Sequence, residues 1–171
     1  LYNAASISKS LALLDSSERF AQSDVIDISR HTTTFATNAI QGSDEIGAKA
    51  NNEAFKGRYC SFCHHSSFAR ESAAEFLENA NRRLQLEQEF FAGSDTVIIT
   101  LGTSWVYRHK ELDTIVSNCH KIHPAEFERE FMEWDLTART LEKSITLHPD
   151  KRFIFTVSPI RHLKDGAHGN A

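Results

Sequence analysis

Long apolar runs are missing from this chain. No stretch approaches the roughly 18 consecutive apolar residues that a membrane-spanning helix needs, and no charged-then-apolar segment of the signal-peptide kind occurs within it. An excess of positive charge is missing too. Nineteen lysines and arginines stand against 23 aspartates and glutamates, and no basic patch stands out, so the electrostatic footprint of a nucleic-acid binder is lacking. Cysteine is scarce: three in 171 residues do not make a disulfide framework, which leaves the compartment open, with the cytoplasm as the default. Internal repeats and low-complexity tracts are absent as well. What is present is 40% apolar content over a length sufficient for one globular domain with its own core.

The apolar residues fall into recognisable periods. Over residues 3–14, Ile7, Leu11 and Leu14 share one face, which predicts a helix. Residues 16–57 dissolve into Ser, Thr, Asn and Asp, and only Val25, Ile26 and Ile28 hint at a strand through their β-branched side chains. Residues 59–68 read as a polar-aromatic loop. Ser72-Ala-Ala-Glu75 is a capping box, which satisfies free N–H groups at a helix start. Behind it Phe76, Leu77, Ala80, Leu84 and Phe91 lay an apolar stripe along a helix ending at Gly93. Residues 96–101 are apolar almost without alternation, as in a parallel strand covered on both faces. Residues 105–107 and 114–116 suggest a hairpin. Pro124 is expected to open the most regular helix, because Phe127, Phe131, Trp134, Ala138, Leu141 and Ile145 follow a strict alternation of four- and three-residue steps; Pro149 enforces its end. A strand at 153–157 completes a right-handed βαβ unit and an α/β fold class.

Both of those strands run straight into polar residues. Residues 96–101 lead into Gly102-Thr-Ser-Trp-Val-Tyr107, and residues 153–157 lead into Ser158-Pro-Ile-Arg-His-Leu-Lys-Asp-Gly-Ala-His168. In open α/β sheets ligands bind at that rim. A glycine directly after a buried strand allows close backbone approach, so the Gly102 N–H could face a developing oxyanion, with Thr103, Ser104 and Trp105 beside it. Arg161 could hold an acidic group, while His162 or His168 could move protons near neutral pH. The bland alternative is that Arg161 and Asp165 pair across a surface turn.

Three other clusters carry reactive side chains. Cys60-Ser-Phe-Cys63-His64 matches the c-type haem attachment pattern, but the match is short, and Met132 is the one methionine available as a second axial ligand. Zinc ranks above haem: Cys60 and Cys63 form one half-site, and Cys119 with His123 could form the other. Against it, Cys119 also fits a small buried hydrophobe. In His64-His65-Ser66-Ser67 two imidazoles lie beside two hydroxyls, as a base lies beside a nucleophile. Adjacent loop residues rarely point the same way, so a hydrogen-bonded loop is at least as good a reading.

Five stretches together resemble a known family. They are Leu1-Tyr-Asn-Ala-Ala-Ser-Ile7; Ser61-Phe62 with His64-His-Ser-Ser-Phe68; Ile99-Thr-Leu-Gly-Thr-Ser-Trp-Val-Tyr107; Asn118-Cys-His-Lys-Ile122; and Phe155-Thr-Val-Ser-Pro-Ile-Arg-His-Leu-Lys-Asp-Gly-Ala-His168. The chain resembles the GSCFA-domain proteins, which are bacterial, common in Bacteroidetes and distantly similar to SGNH/GDSL hydrolases. The resemblance covers nearly the whole chain. It implies a three-layer α/β/α sandwich of flavodoxin-like type and hydrolase chemistry on esters; a small-molecule or carbohydrate ester is the expected substrate and no cofactor is expected, while composition already argues against nucleic acid and a membrane span.

The resemblance also implies pocket roles for His65, Ser66, Asn118, His120, Arg161, His162 and His168. It lowers the metal readings, because family members usually carry other residues in place of Cys60 and Cys63. Two parts of the expected machinery are not found in the sequence: the Gly-Ser-Cys-Phe-Ala motif with its nucleophilic serine, and the asparagine two residues after the oxyanion glycine, where Ser104 stands; the Asp-x-x-His that supplies a base is expected to lie after Ala171, although Asp165-Gly-Ala-His168 has the same spacing. Asn118 is the candidate replacement for that asparagine. The stretch is therefore expected to be one incomplete GSCFA-type domain that hydrolyses nothing by itself. The reading from another class is a non-catalytic zinc or interaction module built on Cys60, Cys63, Cys119 and His123. A third is carbohydrate binding or acyl transfer, with Trp105 and Tyr107 stacking on sugar.

Overall fold

In the computed structural model, which describes residues 3–31 and 58–158, Asn3 starts the first helix. Its side-chain oxygen accepts the Ser6 N–H at 2.9 Å, meeting one of the donors that a helix start leaves free. Helix α1 (Ala4–Leu14) then turns Leu11, Ile7 and Leu14 inward, the face expected from their spacing. Gln88 ties down its end, with Nε2 donating to Leu13 O in the last turn and to Ser16 O just beyond the helix, at 2.8 Å each. Helix α2 (Ala73–Ala92) begins at the predicted Ser72 cap, with Glu75 N–H donating to Ser72 Oγ, and buries Phe76, Ala80, Leu84 and Phe91. Between these helices, β1 (Ile26–Asp27) pairs antiparallel with β2 (Tyr59–Cys60), which places a short strand where a loop was expected.

The strand–helix–strand unit is present. Strand β3 (Thr96–Leu101) pairs in parallel with β7 (Arg152–Val157), and α3 (Trp134–Thr146) lies between them in sequence. The expectation that β3 is covered on both faces is not met. Ile99 is buried, with Val97 and Leu101, against Leu11 and Phe91 of the helices. On the opposite face Ile98 is 68% exposed, beside exposed Thr100. An apolar strand alternates in burial here because α1 and α2 cover only one side of the pair.

The larger correction concerns residues 124–133. The helix expected from Pro124 onward starts at Trp134 instead. Pro124–Glu126 is a single 3-10 turn, and Phe127–Phe131 is a strand, β6. It pairs antiparallel with β4 (Trp105–His109), which also pairs with β5 (Thr114–Val116) in the predicted hairpin, giving the order β5-β4-β6. The reason lies in the spacing itself. Residues four apart share a face in a strand as well as in a helix, so Phe127 and Phe131 satisfied both periods. Trp134 and Ala138, which the helical stripe required to be inside, are exposed; the buried side of α3 carries Leu141 and Ser144.

Among the described residues the architecture is thus mixed α/β, with three helices, several small sheets and no barrel. No helix among them is long and apolar enough to cross a membrane. Because Phe127 is 7% exposed and Trp134 is 80% exposed, their truncations should differ sharply. Phe127→Ala is expected to cost about 3 kcal/mol or more in urea unfolding, and Trp134→Ala about 0.5 kcal/mol or less. Equal costs would restore the helical stripe.

Candidate functional site

Parallel pairing brings the C-terminal ends of β3 and β7 side by side, and Ser158 N–H donates to Leu101 O at 2.7 Å where both strands end. A cleft of about 1650 Å³ opens there. Its walls are Gly102 and Thr103 after β3, Ser158 after β7, Ser6 and Ser10 of α1, residues 63–66, and residues 117–122. The site residues expected from sequence therefore divide. Gly102, Thr103, His65, Ser66, Asn118 and His120 line this one cleft. Ser104 and Trp105 are not among its lining residues: the Ser104 carbonyl accepts the Met132 N–H at 2.8 Å, and the Trp105 ring carries the Arg129 guanidinium 3.7 Å from its centroid. Arg161, His162, Asp165 and His168 lie outside the described residues.

Two loops far apart in sequence build the wall opposite the strand ends. The Phe62 carbonyl accepts N–H groups from both Ser117 (3.0 Å) and Asn118 (3.1 Å). The Asn118 side-chain nitrogen donates to His64 O at 3.2 Å and to Ser66 Oγ at 3.3 Å, and its oxygen accepts the His120 N–H at 3.0 Å. His120 and Lys121 follow with φ of 50° and 61°. That left-handed conformation is unfavourable for residues with a Cβ and persists only where surrounding contacts dictate it.

The contacts of the His120 ring settle its tautomer. Nε2 lies 2.7 Å from the Ser61 carbonyl, which can only accept, so Nε2 carries the hydrogen. Nδ1 then presents a lone pair, and Ser66 Oγ lies 3.1 Å from it. Burial lowers the pKa of this imidazole, the Ser61 carbonyl partly opposes that shift, and nearby His65 adds to it. The ring is neutral at ordinary pH.

His64 is neutral for a similar reason. Its ring packs against Phe20, Phe68 and Phe76 with centroids 4.6, 5.1 and 5.2 Å away, and Nδ1 meets Ser61 Oγ at 2.6 Å. Burial first, and then repulsion from neighbouring His120 should both rings take up protons, push its pKa down to about 4, with Asp24 opposing. His65 is exposed, and its Nδ1 accepts the Ser67 N–H at 3.2 Å.

Among the described residues no three histidine, cysteine or carboxylate side chains are grouped to hold a metal ion. The alternative set Cys60, Cys63, Cys119 and His123 is accordingly not drawn together. Cys60 is buried, with its thiol pushed up to about 11, and burial raises Cys119 as well, so neither is a ready thiolate. His123 caps the turn that follows it by accepting the Ala125 N–H.

Sequence spacing did not foresee the roles of Ser61 and the left-handed turn at His120. The clue was there in a dense His-Ser segment, but its partners come from 54 and 59 residues away. The GSCFA family model matches residues 1–171. The chain belongs to the GSCFA family. No curated protein and no solved structure matches it. For this GSCFA protein, the loop residues His64, Ser66, Asn118 and His120 form one hydrogen-bonded wall.

The buried imidazoles make stability pH-dependent. Free histidine binds its proton near 6.5, whereas folded His64 does so only near 4. Between those values the unfolded chain holds more protons, so stability is fully present above pH 6.5 and is lost as pH falls toward 4. Urea unfolding at pH 7.5 and 4.5 is expected to show a loss of up to about 3 kcal/mol from this group. His64→Gln should flatten that part of the dependence; an unchanged slope in the variant would contradict the assignment.

Proposed function

We propose that this GSCFA protein hydrolyses acyl esters, with a small-molecule or carbohydrate ester lying in the cleft at the ends of β3 and β7. On this reading the two strands belong to a flavodoxin-like three-layer sandwich of the SGNH type. The observation that carries the proposal is the convergence, at two adjacent parallel strand ends, of Gly102 and Thr103 with Asn118, Ser66 and the neutral imidazole of His120. Ligands of open α/β sheets bind at such ends.

The chemistry is serine attack on the ester carbonyl, an acyl-enzyme intermediate, and preorganised donors aimed at the oxyanion. It needs no cofactor. Gly102 contributes a backbone donor. The two Asn118 Nδ2 hydrogens rest on His64 O and Ser66 Oγ; the one on Ser66 Oγ would have to pass to the oxyanion for the Asn118 amide to replace the asparagine that SGNH enzymes carry two residues after this glycine. His65 lines the mouth of the cleft, and Arg161, His162, Asp165 and His168 would orient the substrate.

Turnover of p-nitrophenyl acetate and butyrate tests the proposal. The expectation that this stretch hydrolyses nothing by itself rests on the missing family motif. Because the cleft holds a serine hydroxyl, Ser66, 3.1 Å from the neutral imidazole of His120, the protein is instead proposed to hydrolyse at least one of these esters well above the buffer rate. Asn118→Asp keeps an oxygen for the His120 N–H but removes the amide donor, so kcat/KM should fall about 100-fold. Absence of turnover on every short-chain acyl ester would overturn the hydrolase reading, and an unchanged kcat/KM would remove Asn118 from the donors.

A further inference from the structure

We propose that Ser66 is the acyl-accepting nucleophile of this cleft and His120 its general base. The inference rests on the ester-hydrolase reading and adds the reacting atom to it.

Hydrogen-bond direction carries the argument. The Ser61 carbonyl, 2.7 Å from Nε2, holds the His120 ring as the Nε2–H tautomer, leaving the Nδ1 lone pair 3.1 Å from Ser66 Oγ. The serine proton therefore points at an unprotonated imidazole. Nucleophile, base and a third group that orients the base are the recurring parts of serine catalysis; here a backbone carbonyl takes the orienting place. Asn118 Nδ2 donates to the same Oγ at 3.3 Å and so directs the hydroxyl hydrogen toward Nδ1.

Accessibility separates this pair from its neighbours. Ser66 is partly exposed on the cleft wall, while His120, behind it, is 3% exposed. Ser61 and His64 are closer together, at 2.6 Å, but Ser61 is 1% exposed and out of reach of an ester. His65 and Ser67 meet at 2.9 Å, yet the His65 Nδ1 lone pair is shared with the Ser67 N–H. Of these three pairs, Ser66 and His120 alone join an accessible oxygen to a shielded base with a single hydroxyl partner.

The step balances. Ser66 Oγ bonds to the acyl carbon as its proton passes to His120 Nδ1, and the carbonyl π pair moves onto oxygen. Collapse breaks the bond between acyl carbon and alkoxy oxygen, and the leaving alcohol takes the proton from Nδ1. Water then attacks the acyl-serine in the same way, giving up a proton to Nδ1, and the released Ser66 oxygen recovers it. The acyl acceptor is thereby distinct from the serine of the motif that names the family.

A fluorophosphonate probe, followed by trypsin digestion and fragmentation of peptide 59–70, locates the modified oxygen and distinguishes Ser66 from Ser61 and Ser67. The expected result is one phosphonyl group per chain on Ser66, none there in Ser66→Ala, and labelling slowed about 100-fold in His120→Gln. The rate in the unmodified protein should also fall on acidification as His120 takes up a proton, a limb that His120→Gln lacks. Localisation in the unmodified protein stands even if either variant misfolds. Label on another serine, or ester turnover without any label, overturns the Ser66 assignment and leaves the hydrolase reading intact. Neither label nor turnover overturns both.

Discussion

The hydrogen bond from His120 Nε2–H to the Ser61 carbonyl joins segments 59 residues apart in sequence, and the cleft wall is organised around it. To make it, the 117–122 loop must turn back through two left-handed residues, His120 and Lys121. Asn118 makes that turn tolerable by taking the His120 N–H on its own side-chain oxygen. The same asparagine spans to His64 O and Ser66 Oγ, so the strained turn and the opposite loop are secured by one residue. Burial then keeps the imidazole neutral, because charging it would forfeit solvation that the Ser61 carbonyl replaces only in part. Geometry and charge state follow from one contact.

That wall matters because of where the parallel pair ends. β3 and β7 run in register to Leu101 and Val157, so Gly102 and Ser158 emerge together at one edge. Helices α1 and α2 cover a single face of the pair, and residues of α1 reach the cleft floor through Ser6 and Ser10. The antiparallel sheet β5-β4-β6 closes the neighbouring side, where Val116, Ile122 and Phe127 pack together beneath the His120 loop. Membership of the GSCFA family covers the entire chain, so strands, loops and cleft all fall within the matched region.

Much of this was legible in the residues. Helix α1 showed itself in Ile7, Leu11 and Leu14, α2 in its Ser72 cap and the Phe76 stripe, and the parallel pair in two apolar runs separated by a helix. Strand β6 was not legible, because Phe127 and Phe131 sit at a spacing common to both periods, and the neighbouring Trp134 extended the false helical stripe. Burial of both faces of β3 was misread for a related reason: a continuous apolar run does not say how many faces have partners. At the site, Gly102, Asn118 and His120 were visible as residue types, but their partners were not. A hydrogen bond between Ser66 and His120 depends on two loops meeting, and no local pattern in either loop encodes that.

The state of the His120 ring is the point on which this account turns, and nitrogen-15 NMR of the histidine side chains reads it directly. At neutral pH the account predicts a His120 ring with hydrogen on Nε2 alone and a bare, hydrogen-bonded Nδ1. A ring protonated on Nδ1, or on both nitrogens, would contradict it, since Ser66 would then face a donor instead of a base.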